Sequence, residues 1–185
     1  MILSISGVPG SGKTSAGKLV ARKLGFAFHS TGGLFRKMAE ERGLTINELM
    51  KLGEEDITIH ERIDDAQRRL GIEQDRFVIE GRLSWHFIPH SFKILLLCDT
   101  REAARRTYEA KRASDNDRRV EADYQSIEET EKAIIDRNAS DILGYQKHYG
   151  INYLDPKHFD VVIDTTTSTG PEETTKRIIE ALPKT

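Results

Sequence analysis

One cysteine, Cys98, is all the thiol chemistry available in 185 residues. That excludes a disulfide framework and fits a reducing compartment. The residue ends an apolar run and is expected as a buried, inert thiol. No apolar stretch approaches the roughly 18 residues of a membrane span. The first residues are expected to form a core strand instead of a signal peptide. A cytoplasmic protein with no membrane partner is therefore the expectation. An excess of one charge is also missing, since 28 basic and 30 acidic residues leave a formal net charge of -2. Without a global basic field, a nucleic acid polymer is not the expected partner. Repeats, low-complexity tracts and linkers are absent. A chain of 185 residues is then expected to form a single domain, and a monomer.

What is present is concentrated near the start. Gly7-Val8-Pro9-Gly10-Ser11-Gly12-Lys13-Thr14 lies between an apolar segment, residues 1–6, and a helix-like segment, residues 13–24. In G-x-x-x-x-G-K-[ST], backbone N–H groups point inward to cradle phosphates. The lysine neutralises β/γ-phosphate charge, and the hydroxyl of Thr14 is placed to ligate Mg²⁺. A purely structural glycine turn needs neither that lysine nor that threonine. A nucleoside triphosphate site is the expectation.

Further along, apolar segments alternate with amphipathic ones, which implies an α/β fold built on a parallel sheet. Strands are expected at 1–6, 26–29, 77–79, 92–98 and 161–164. Ser30 to Gly33 form a turn able to cap a helix at 34–42, which puts Arg36 in its first turns, at the end of a strand where open parallel sheets place ligands. Thr45 with Glu48 has capping-box spacing before a short helix, and a second helix is expected over 56–70. Glu80-Gly81-Arg82 ends the third strand. There a carboxylate can orient water on Mg²⁺, a glycine allows close backbone approach, and an arginine can grip phosphate with its fork. Asp99, after the fourth strand, competes with Glu80 for the metal role, and Glu80 is preferred because Gly81-Arg82 gives its loop a substrate-facing purpose. A helix over 101–112 carries Arg105, Arg106 and Arg112. A polar loop follows with Arg118 and Arg119. Ser126 with Glu129 starts a long helix towards His148, on which Arg137 and Asp141 share a face. A last helix starts at Pro171.

This layout resembles the nucleoside monophosphate kinases. The segments STGGLFRKMAEERG, VIEGRL, DRNASD, YGI and FDVVIDT are more closely similar to cytidylate kinases of the compact archaeal type, over nearly the whole chain. The resemblance implies a P-loop NTPase three-layer fold with a five-stranded parallel sheet, a helical monophosphate-binding insertion at 31–73 and a small lid at 112–125. It implies reversible transfer of the γ-phosphoryl group of ATP to CMP or dCMP with Mg²⁺. Carried over, Gly7 to Thr14 would hold ATP and the metal, while Thr31, Arg36, Glu80, Gly81 and Arg82 would form the acceptor site. Arg137 would join them, and Asp141 would accept hydrogen bonds from cytosine or ribose. Residues 165–169 would lie along the adenine edge. Gly144 departs from the pattern, standing where a further arginine before Tyr145 is expected.

Such a set suits phosphoryl transfer, in which positioning and cations supply most of the catalysis and no protein nucleophile is required. Lys13, Arg112 and Arg137 are the candidate catalytic cations. Other residues carry plainer expectations: Trp85 packs, Tyr108 is a partly buried helix residue, and His86 with His90 is no metal pair, because Pro89 interrupts their helix. The rivals are an adenylate kinase or another small-molecule kinase of the same fold, and an ATP-dependent switch or assembly protein. A switch would have no use for the acceptor arginines Arg36 and Arg82.

Overall fold

The computed structural model describes residues 1–56, 58–113 and 124–183. Five strands, β1 (Ile2–Gly7), β2 (Ala27–Ser30), β3 (Phe77–Glu80), β4 (Phe92–Leu97) and β5 (Val161–Asp164), form one sheet in the order β2-β3-β1-β4-β5. Every pairing is parallel. Around it run α1 (Lys13–Leu24), α2 (Thr31–Glu41), α3 (Ile46–Glu55), α4 (Thr58–Glu73), the single turn α5 (Ser84–Phe87), α6 (Thr100–Ala113), α7 (Ile127–Tyr149) and α8 (Pro171–Ala181). The strands that follow β1 go to opposite sides of it, β3 on one and β4 on the other. That reversal opens a crevice at the C-terminal ends of the strands, where open α/β sheets bind ligands.

Period-two alternation in β1 serves both faces of the sheet. Leu3 and Ile5 join Val78, Ile94, Leu96 and Ile163 against Ala16, Val20 and Ala21 of α1 and Ile178 of α8. Each fully buried Leu or Ile of this layer contributes roughly 1.5–3 kcal/mol. On the opposite face Ile2, Phe77 and Ile79 pack on Ile88 and Leu70. There β1 also presents Ser4, bonded to Ser91 Oγ at 2.8 Å, and Ser6, which donates to Arg82 O at 2.9 Å. The central strand thus gives up two apolar positions to hold loops. Residues 31–73 contain a small core of their own, with Ala39, Leu49 and Ile59 packed by Phe35, Met38 and Leu44.

Most element ends follow local chemistry. Gly25 and Gly150 close α1 and α7 in the left-handed conformation. Thr45 and Glu48 form a reciprocal capping box, and Ser126 accepts from Glu129 N. Helix α2 starts at Thr31 instead of 34, because the Ser30 side chain already accepts from Gly33 N at 3.0 Å and ends β2 as the helix cap. The turn α5 was not expected, and Cys98 is half-buried instead of buried because it lies just past the end of β4. Among the described residues no helix is long and apolar enough to cross a membrane.

Candidate active site

The loop between β1 and α1 depends on backbone that side chains would obstruct. Gly7 has φ +147°, and a Cβ there would stand 2.1 Å from the carbonyl oxygen of Leu96. A Cβ on Gly10, at φ +76°, would stand 2.5 Å from Ala103 O, so the start of α6 rests directly on this loop. Lys13 Nζ donates to Val8 O at 2.7 Å, and Ser11 Oγ donates to the same oxygen at 2.8 Å. The loop is thereby folded around the N-terminus of α1, where free N–H groups and the helix dipole favour an anion. Burial pulls the Lys13 ammonium down to about 8, with Arg82 and Arg137 lowering it further and Glu80 and Asp141 opposing them. Charged groups from the end of β3, the turn after it and α7 therefore act together on the first residue of α1.

Thr14 Oγ1 donates to Glu80 Oε2 at 2.7 Å. A hydroxyl and a carboxylate side by side beside a phosphate cradle are hard oxygen donors, and they fit Mg²⁺. Asp99 is engaged elsewhere, since its Oδ1 accepts from Glu102 N at 3.0 Å as the cap of α6 and its N–H donates to Thr166 Oγ1 at 2.9 Å. The acid that the fold brings to Thr14 is Glu80.

The turn after β3 is held from several sides. Gly81 N donates to Ile5 O at 3.1 Å, and Thr31 Oγ1 donates to Glu80 O at 3.2 Å. A Cβ on Gly81 would lie 2.0 Å from Thr31 Oγ1 and 2.3 Å from Ser84 Oγ, so the close approach of α2 and α5 requires glycine there. Arg82 O accepts from both Ser6 Oγ and Trp85 Nε1. The Arg82 side chain reaches α7, with Nη2 2.7 Å from Asp141 Oδ2 and its guanidinium 6.0 Å from the centre of the Tyr153 ring. Burial opposes its charge, but Asp141, Tyr145 and Tyr153 outweigh that effect and raise its pKa. Arg82 Nε is buried without a partner. Arg36 and Arg137 are exposed, and neither is engaged in a hydrogen bond or ion pair among the described residues.

Helix α6 contributes further arginines. Arg112 donates to Tyr108 Oη at 3.0 Å and lies 5.4 Å from the centre of that ring. Arg118 and Arg119 lie outside the described residues, as does most of the expected lid. Arg106, given no separate role from sequence, takes the central position. Its Nη2 donates to the carbonyls of Thr165 (2.7 Å), Thr166 (3.0 Å) and Ser168 (3.3 Å), while its Nε meets Glu102 at 2.8 Å. Thr165 Oγ1 in turn lies 3.2 Å from Ser11 O and 2.9 Å from Leu97 O. The i,i+4 spacing of Glu102 and Arg106 was the only signal available in the sequence. Arg105 and then Arg106 hold the Glu102 carboxyl down at about 2.

The remaining candidates have structural partners. Trp85 is 6% exposed and stacks on His158 with centroids 4.6 Å apart. His90 Nε2 is 3.1 Å from Gly71 O, and no group of three or more metal-binding side chains occurs among the described residues.

A model of the cytidylate kinase-like family matches residues 2–167. A cytidylate kinase of Methanocella arvoryzae is 36% identical over 166 residues, spanning 90% of this chain and 88% of that one. Another, of Methanobrevibacter smithii, is 31% identical over 182 residues and 98% of both chains. Among solved structures, a shikimate kinase from Bacteroides thetaiotaomicron superposes with a TM-score of 0.65 over 97% of each chain at 18% identity, a likeness of fold alone.

Proposed function

The chain belongs to the cytidylate kinase-like family and is a nucleoside monophosphate kinase, and we propose that it transfers the γ-phosphoryl group of ATP to CMP or dCMP. The observation that carries this reading is the Arg82–Asp141 pair, whose charges both act on Lys13. A cation for a phosphate and a carboxylate for a sugar or base donor stand together beside a triphosphate cradle. A nucleotide switch would have no use for that second, acceptor-like half. That relatives of the chain are cytidylate kinases supports cytosine as the base.

In this reading residues 1–185 are one kinase domain, with 31–73 as the monophosphate-binding insertion and 112–125 as the lid. Backbone N–H groups of Gly7 to Thr14 hold the triphosphate, and Lys13 leaves Val8 O to neutralise the β- and γ-oxygens. Thr14 and Glu80 would hold Mg²⁺, which would supply positive charge to the triphosphate. Arg82 and Arg36 grip the acceptor phosphate and present its oxygen in line. Arg137, with no competing partner among the described residues, covers the transferring group, whose equatorial oxygens carry the charge of a loose transition state. Arg112 joins only after leaving Tyr108. Asp141 exchanges Arg82 for a hydroxyl or amino donor of the nucleoside. Arg106 fixes the loop at 165–168 that faces the donor base.

The test is diphosphate formation from ATP and Mg²⁺ against CMP, dCMP, UMP, AMP, GMP and shikimate. Turnover confined to CMP and dCMP is expected. Turnover of AMP would keep the mechanism and overturn the base assignment, and slow ATP hydrolysis with no acceptor would overturn the kinase reading of the site.

A further inference from the structure

Asp64 is a carboxylate that the proposed chemistry does not use. It is 8% exposed, it lies on α4, and its Oδ2 accepts a hydrogen bond from Tyr149 Oη at 2.6 Å. Burial raises its pKa, while the Tyr149 hydroxyl, Arg68 and His60 partly offset that effect. A buried carboxylate costs free energy wherever it stands, and a helix–helix contact could be made without one.

The place of this contact gives it a role. Helix α4 belongs to two packing units. Its Ile59 lies in the small core of α2 and α3, which also carries Arg36 on the same helix as Ala39. Further along, Gln67 accepts from Ser84 Oγ at 2.7 Å, and a Cβ on Gly71 would stand 2.8 Å from Ile88, so the second half of α4 is seated on the body of the protein. Asp64 stands between these halves. Its partner Tyr149 is the last residue of α7, the helix that bears Arg137 and Asp141.

From Tyr149 a packed column leads to the acceptor side. Tyr149 and Tyr145 have ring centroids 6.2 Å apart, and Tyr145 meets Tyr153 edge-on at 5.6 Å. The Tyr153 hydroxyl donates to Asn138 Oδ1 at 3.0 Å, and Arg82 reaches over its ring. The charged and titratable groups facing Asp64 are Arg68, His60 and Asp65 of its own helix and Tyr149 and Tyr145 of α7. Arg68 is drawn aside, bonded to Asp65 at 2.7 Å and placed over the Phe87 ring, so Tyr149 is the hydrogen-bond partner that crosses between elements.

We propose that Asp64 and Tyr149 are positioning residues for the acceptor: their hydrogen bond is the pivot that holds the Arg36-bearing helices in register with the Arg137- and Asp141-bearing helix α7. The proposal rests on the kinase reading of the site. A hydrogen bond that holds two halves of one ligand site in register contributes to the affinity of the ligand spanning them. It leaves the ligand that binds only the phosphate loop unaffected.

Trp85, the single tryptophan, donates to Arg82 O and supplies a binding signal that needs no turnover. Its fluorescence would be titrated with each nucleoside monophosphate alone and with ATP alone. In Tyr149→Phe the dissociation constant for CMP is expected to rise about tenfold, the scale of one lost hydrogen bond to a charged group, while that for ATP stays within about twofold. Asp64→Asn, which keeps an acceptor oxygen for Tyr149, is expected to keep CMP affinity within about threefold of the parent protein. The double variant Asp64→Leu/Tyr149→Phe is expected to bind CMP no more weakly than Tyr149→Phe. Unchanged CMP affinity in Tyr149→Phe, or equal losses for CMP and ATP, would overturn the pivot. A parent protein that answers to another monophosphate instead of CMP would overturn the base assignment only, and the same variants would then be compared with that nucleotide.

Discussion

Asp141 on α7 holds Arg82, the arginine after β3, by an Oδ2 to Nη2 contact of 2.7 Å with each side chain about 23% exposed. The residue expected to meet the nucleoside is therefore also the counter-ion of the residue expected to meet its phosphate. In the proposed function either one changes partner when a nucleotide enters.

Replacing Asp141 by alanine leaves the Arg82 charge largely buried and unmatched. Breaking a fully buried pair costs about 3–5 kcal/mol, and with a quarter of each side chain in water about 1–3 kcal/mol is expected here. Urea denaturation of Asp141→Ala, Arg82→Met and the double variant measures it. Additive losses would show that the pair contributes no coupling energy.

Lys13 sets a pH dependence whose sign follows from its lowered pKa. The folded protein holds this proton less tightly than the unfolded chain, with a value of about 8 against 10.5. Its charge therefore costs stability below about 8, and the cost fades as pH rises towards 10.5, so this group's contribution improves with pH across that window. Phosphate binding has the opposite demand, because it needs the ammonium. ATP affinity is expected to fall above about pH 8, by at most about tenfold per unit, with proton uptake on binding. Calorimetric titration in buffers of different ionisation enthalpy detects that uptake, and Lys13→Met should abolish it.

Arg106 is expected to act on the donor alone. Arg106→Ala releases the carbonyls of Thr165, Thr166 and Ser168, and KM for ATP should rise about tenfold with KM for CMP unchanged. Lysine should not rescue it, because a point charge cannot reproduce the planar fork that meets Glu102 and the loop together. Equal changes in both KM values would argue against a donor-side role.

Much of this site was legible because its signals are local. The spacing from Gly7 to Thr14, the cap residues Thr45 and Ser126, and the run ending at Glu80-Gly81-Arg82 each state backbone requirements within a few residues. Their physical meaning does not depend on distant contacts. Arg106 and Asp64 were not legible. Their neighbours are arginines and acids of an ordinary solvated helix face, and what distinguishes them is a partner on another element. Arg112 shows the converse, since a position at the end of a helix before a loop did not foretell that Tyr108, one turn back, would take its guanidinium.

By itself the sequence determined the class of fold, the phosphate loop and the order of strands and helices, because periodicity, glycine placement and capping act over one or two turns of chain. Only the tertiary structure decided that Glu80 and not Asp99 meets Thr14, that Asp141 answers Arg82, and that three loop carbonyls converge on Arg106. Those choices depend on which strand ends lie side by side in the sheet, and on the need of each buried charge for a partner in a low-dielectric interior.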